Sequence, residues 1–297
     1  MVDSIINCDT PNTADVVLIG APYEHGVSFG TGTSAGPRAI ADCLDRQIEL
    51  FERHTATEPA YAYRIALDML EGLETLSPPD MVARIADRVA EHQAFTIVLG
   101  GSHAVSIGAL EGHARHLSAD EITVVQIDAH LDMRDDDSDY NDDDPSPLAH
   151  ACVMRRGHEM GYRTCSIGIR AYSTDEHQYA KENGLRVFEW GRGVVPSIGD
   201  VIGAIDTERV YLTVDVDGFD PAVTPATGTP VPGGLSWDYG TGLLRALFDA
   251  KDVIGADIVE VSPLPGSGLT EYAAAQLCYD MLTYKLLKRD GKLAFAD

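Results

Sequence analysis

Six short runs rich in Val, Ile and Tyr, at residues 16–20, 95–101, 122–129, 165–169, 210–216 and 253–261, constrain this chain more than any other feature. They read as buried strands, covered on both faces. Helical patterns lie between several of them, at 79–92 and 237–248. PRAIADCLDRQIEL (37–50) begins with Pro37 after Gly36, where proline suits a helix's first position. A last helix is expected from Thr270, whose hydroxyl offers an N-cap, towards Leu287. Such alternation predicts an α/β fold, three α/β/α layers around a mostly parallel central sheet. No linker or repeat interrupts the chain, so one domain over residues 1–297 is the simplest account.

At 44% hydrophobic residues the chain can fill a substantial core. No stretch has the apolar length of a membrane span, and MVDSIINCDT lacks the basic start and apolar centre of a signal peptide. A soluble, cytoplasmic protein is expected. The five cysteines are scattered without a C-x-x-C pair, which points to free, mostly buried thiols rather than disulfides or a zinc ribbon. With 22 basic against 47 acidic residues the net charge is −25, which repels phosphate backbones and anionic lipid, so neither nucleic acid nor membrane is an expected partner. Only five lysines occur, and the Asp-rich bias is similar to that of proteins from salt-loving archaea; the excess charge reads as a solvated, halophilic surface.

Chemistry concentrates after three of the runs. Asp128, His130 and Asp132 stand two apart, and i, i+2 and i+4 side chains of a strand share a face. In YLTVDVDGFDP, Asp215 and Asp217 have the same spacing before Gly218 and Pro221. His103 follows Gly100-Gly101-Ser102 after the strand FTIVL, ahead of a helix that Ser102 or a neighbour is expected to cap. Ligands of open parallel sheets bind at the carboxyl ends of strands, where all three clusters sit. Four carboxylates brought together there repel one another, and cations resolve the repulsion. The oxygen-rich set with two imidazoles suits Mn²⁺. Two ions sharing carboxylates imply hydrolysis by an activated water. Between Met133 and Ala149 lies MRDDDSDYNDDDPSPLA, whose charge and prolines predict a loop.

GGSHAVS (100–106), DAHLD (128–132), DVDGFDP (215–221) and DIVEVSP (257–263) together resemble the ureohydrolase family of arginases and agmatinases, as do GTGTSAGPRAI (30–40) and TPATGTPVPGGLS (224–236). The resemblance spans almost the whole chain and implies the arginase-like fold and two Mn²⁺ per subunit. His103 and Asp132 would hold one ion and His130 and Asp217 the other, with Asp128 and Asp215 bridging. It further implies attack of a bridging hydroxide, held by Asp132, on a guanidinium carbon. His150 would carry the proton to the departing amine and Glu260 would bind the guanidinium group. Two other roles stand beside these: Glu260 pairing with an arginine, and His150 capping the helix that contains Val153 to Arg156. Relatives assemble as homotrimers or homohexamers. The chain departs from the family pattern at Ser102, where an acidic residue is usual, and in the length and acidity of the segment from Asp132 to His150.

HACVMRR (150–156) looks more like agmatinases than arginases, and seven aspartates between Asp135 and Asp144 disfavour an anionic substrate tail. Agmatine, cleaved to urea and putrescine, is the expected substrate, with arginine, guanidinobutyrate and formiminoglutamate as alternatives. A non-catalytic relative would be expected to have lost ligands, yet all six positions are filled. A zinc deacetylase would not need both Asp clusters. GTGTSAG (30–36) lacks phosphate-loop spacing, which disfavours a nucleotide enzyme.

Overall fold

The computed structural model describes residues 4–193 and 195–296. Eight strands form one sheet: β1 (Val16–Ala21), β2 (Ile65–Met69), β3 (Phe95–Gly100), β4 (Ile122–Ile127), β5 (Arg163–Ile169), β6 (Arg186–Glu189), β7 (Arg209–Asp215) and β8 (Asp252–Val259). Their order is β2-β1-β3-β8-β7-β4-β5-β6, and every pairing is parallel. The six apolar runs became the interior strands. β2 and β6, absent from the sequence reading, are the two edges. They are only partly buried, so IALDM and RVFE carry no long apolar run to announce them.

Successive strand residues face opposite sides, so each side has its own core. On one side Leu18, Ile97, Leu212 and Ile258 pack beneath α1 (Gly36–Arg46), α7 (Trp237–Ala250) and α8 (Leu269–Arg289). On the other, Val17, Val98, Val124 and Val259 pack beneath α2 (Pro78–Glu91), α3 (Val105–Ala114), α4 (Val153–Glu159) and part of α5 (Thr174–Glu182). The short α6 (Ile198–Gly203) adjoins α7. This is the expected three-layer α/β/α arrangement around a parallel sheet. Among the described residues no helix is long and apolar enough to cross a membrane. All five cysteines are free, and Cys152, Cys165 and Cys278 are buried.

Two helix starts differ from expectation. The N-cap of α8 is Gly268, and Thr270 lies inside the helix, where its hydroxyl accepts the Ala226 N–H at 2.9 Å. Thr270 therefore anchors the loop after β7 instead of capping its own helix. α3 starts at Val105 with no side-chain cap, although Ser102 Oγ accepts from Ala104 N at 3.4 Å.

Helix α8 also buries a carboxyl. Asp280 is 1% exposed and its Oδ1 accepts from Gln276 Nε2 at 2.8 Å. Burial pushes its pKa from 3.8 up to about 7. Raised above its unfolded value, this group contributes stability that is present below the unfolded pKa and lost as pH climbs through the folded one. Asp280→Asn removes that loss. At pH 8 the variant should melt above the wild type, by up to about 4 kcal/mol in unfolding free energy, and the gap should close near pH 4. Equal melting curves at pH 8 would contradict this account.

Candidate metal centre and active site

The four central neighbours β3, β8, β7 and β4 end almost level. Leu99 pairs with Ile258, Ile258 with Val214, and Val214 with Ile127. The residues just beyond those pairs are therefore delivered to one sheet edge: His103 after β3, Glu260 after β8, Asp215 at the end of β7 and Asp128 after β4. This is the carboxyl edge, where open parallel sheets place ligands.

Strand alternation does not explain how the two aspartate clusters converge, contrary to the sequence reading. β4 stops at Ile127, so Asp128, His130 and Asp132 lie on irregular backbone, and Asp217 lies in a 3-10 turn, Val216–Gly218. Turns bring them together. Asp128 Oδ1 accepts from His130 N at 2.6 Å, and Asp215 Oδ1 accepts from Asp217 N at 2.9 Å. Asp217 Oδ1 in turn accepts from Ala129 N at 3.1 Å, which ties the two loops together. A Cβ at Gly218 would lie 2.6 Å from Asp128 N, so only glycine allows this approach. Asp132 and Glu260 have left-handed backbone, φ 53° and 64°, a conformation that costs non-glycine residues energy and clusters at functional sites.

Two groups of donors result. His103, Asp128 and Asp132 form one; Asp128, His130 and Asp217 form the other, so Asp128 is shared as expected of a bridging residue, whereas Asp215, also expected to bridge, belongs to neither group and stands beside the first. His103 Nδ1 lies 2.8 Å from Asp132 Oδ2, 3.3 Å from Asp128 Oδ2 and 3.6 Å from Asp215 Oδ2. His130 Nδ1 lies 3.1 Å from Asp217 Oδ2 and 3.5 Å from Asp128 Oδ1. Burial raises the pKa of Asp132, Asp215 and Asp217, and the neighbouring Asp128 charge raises all three further. Burial also works to raise Asp128, but His103 and His130 outweigh it and hold this carboxyl low. On His103 burial favours the neutral ring, yet Asp128 and Asp132 raise its pKa well above the ordinary value.

A positive charge is thus demanded between the rings and the carboxylates, as a proton or as a metal ion. The buried Nδ1 of His103 makes no hydrogen bond of its own, which leaves it available as a ligand. Imidazole nitrogens with carboxylate oxygens are a donor set for divalent ions of the Mn²⁺ type. The residues present therefore fit a two-metal site.

Glu260 Oε1 accepts from His103 N at 2.7 Å and lies 3.7 Å from His150 Nδ1. Among the described residues no arginine pairs with it, so the ion-pair alternative fails. His150 opens a 3-10 turn, His150–Cys152, and α4 has no side-chain cap, so the capping alternative fails too. Burial works to lower the His150 pKa, but the neighbouring Glu260 and Asp132 carboxylates together outweigh it and raise it. Its Nε2 is buried without a hydrogen-bond partner.

A cavity of about 300 Å³ opens over the centre. His103, His130, Asp132, His150 and Asp215 line it, together with Arg134, Tyr140, Tyr172 and Glu176. Asp128, Asp217 and Glu260 lie beneath this wall, each at most 5% exposed. The acidic segment 133–149 is irregular as expected, but it is not all solvated surface. Asp137 is buried and accepts from Ser146 N at 2.5 Å, and the Tyr140 ring packs edge-on against His150, 5.7 Å between centroids.

Sequence reasoning missed several supporting groups. Gln126 Nε2 donates to Asp128 Oδ2 at 2.8 Å, and Thr229 Oγ1 donates to Asp217 Oδ2 at 3.1 Å. Thr213 Oγ1 stands 2.8 Å from His103 Nε2. A signal for Thr213 did exist: it precedes Asp215 by two on β7 and shares its face. Thr229, twelve residues beyond Asp217, had none.

A sequence model of the arginase family matches residues 14–283. The chain belongs to the arginase family. It is an agmatinase-like ureohydrolase of this binuclear metal-dependent family, which sets aside the non-catalytic and deacetylase readings. It is 38% identical over 283 residues to the N(1)-aminopropylagmatine ureohydrolase of Synechocystis sp., covering 91% of this chain and 89% of that one. A Thermus thermophilus protein of the same description is 31% identical, covering 94% of each. Among solved structures, the agmatine ureohydrolase of Thermoplasma volcanium superimposes with a TM-score of 0.84 at 27% identity, covering 99% of this chain and 97% of that one.

Proposed function

We propose that this family member hydrolyses the guanidinium group of agmatine to urea and putrescine with two Mn²⁺ held by His103, Asp128, His130, Asp132, Asp215 and Asp217. The observation that carries the reading is the pair of donor groups sharing Asp128, set beneath a cavity that His150 also lines. When bound, the two ions supply the Lewis acidity that makes water a nucleophile near neutral pH. Asp132 orients that water and Glu260, through its carboxylate, orients the guanidinium group so that its carbon faces the attack. His150 protonates the departing amine, and breakage of that C–N bond leaves urea.

The tail assignment rests on charge. Arg134 is the arginine of the cavity wall, and it is engaged by Asp139 and lies 3.8 Å from Glu176. A tail carboxylate would compete with these acids, whereas a tail ammonium adds to their favourable field. A second reading, N(1)-aminopropylagmatine, keeps the amine tail and lengthens it, and the descriptions of the Synechocystis and Thermus relatives favour it. Measuring kcat/KM with Mn²⁺ for agmatine, N(1)-aminopropylagmatine, guanidinobutyrate and arginine tests both. Agmatine should exceed guanidinobutyrate and arginine by at least about tenfold, roughly 1.4 kcal/mol. Faster turnover of N(1)-aminopropylagmatine by the same margin would install the second reading, and urea from arginine but not from agmatine would sink both.

A further inference from the structure

We infer that Asp257, acting through Thr213, determines which ring nitrogen of His103 is free to hold a metal ion. The inference rests on the two-metal reading above, and Asp257 and Thr213 belong to neither donor group. Asp257 is fully buried on β8 and takes two hydroxyl protons: Thr213 Oγ1 donates to Oδ1 at 2.6 Å, and Tyr211 Oη donates to Oδ2 at 2.7 Å. Thr213 and Asp257 are register partners on neighbouring strands, which places both side chains on one face.

A carboxylate can only accept, and a threonine hydroxyl has a single proton. With that proton committed to Asp257, Thr213 Oγ1 can only accept from His103 Nε2, 2.8 Å away. His103 therefore carries its hydrogen on Nε2, and the lone pair is left on Nδ1, the nitrogen that faces Asp128, Asp132 and Asp215. Reversing the relay would put the hydrogen on Nδ1 and close the ligand position. A ring held this way is also a better donor, because a partner on the distal N–H fixes its orientation and raises its basicity. The backbone of His103 is tied down separately by Glu260, three residues beyond Asp257 on the same chain segment.

Thr213→Val keeps the side-chain shape and removes the hydroxyl. Binding of Mn²⁺ to metal-free enzyme, followed by calorimetry and by the electron paramagnetic resonance of the bound ions, should show one of two ions weakened about 10- to 100-fold. The spin-coupled pair signal should give way to that of a single ion at limiting metal, and Thr213→Ser should restore the pair. Two ions bound at wild-type affinity in Thr213→Val would overturn the inference, and so would equal weakening of both ions, which a general loosening of the site would produce. If Thr213→Val loses its far-UV circular dichroism, Thr213→Ala is read by the same criteria. Wild-type enzyme that binds fewer than two ions would instead overturn the two-metal reading on which this relay depends.

Discussion

Asp128→Asn is expected to abolish binding of the metal pair and to lower urea production by at least about a thousandfold. Asp128 is the residue common to both donor groups, so its loss weakens two ion positions at once. The amide is nearly the same size but carries no charge and offers one acceptor oxygen in place of two. Activation of water and polarisation of the guanidinium group are each worth several kcal/mol, and about 1.4 kcal/mol is tenfold in rate. The fold should survive, because Asp128 contributes its charge to the repulsion felt by Asp132, Asp215 and Asp217. Metal content after dialysis and urea release settle the matter together. A variant that keeps two ions and wild-type turnover would refute the site.

Glu260→Gln should separate substrate binding from metal binding. The glutamine oxygen can still accept the His103 N–H that Glu260 accepts at 2.7 Å, so the local backbone keeps its anchor. What disappears is the negative charge opposite a desolvated cation. Removing one partner of such a buried charge pair costs about 2–5 kcal/mol, or roughly 30- to 5000-fold in kcat/KM. Mn²⁺ affinity should stay near the wild-type value, since the Glu260 carboxylate is engaged by the His103 backbone N–H and by the neighbouring His150 ring instead of facing the donor groups. A loss of activity below about threefold would remove Glu260 from guanidinium recognition. Parallel loss of metal would show that it acts on the centre through His103 instead.

Much of this architecture was written locally. Interior strands of a parallel sheet are buried on both faces, so they must be continuously apolar, and the six runs stood out for that reason. β2 and β6 did not, because an edge strand leaves part of its surface wet and needs no such run. The clusters after β3, β4 and β7 are visible in the sequence as residue types, and the repulsion among their carboxylates by itself argues for cations. The alternation offered for their convergence was wrong, because both runs leave the strand before their last acidic residue.

By itself the sequence determined the layered α/β class, the metal-capable residues and the acidic loop, since burial, donor chemistry and charge are properties of local residue types. Tertiary structure alone decided that β3, β8, β7 and β4 are neighbours ending level, that Asp128 is shared, and that Glu260 meets His103 and His150 instead of an arginine. It also decided the path from Asp257 through Thr213 to His103. Such contacts join residues from 44 to 157 positions apart, and strand order and register, not spacing along the chain, set which side chains can share a proton or an ion.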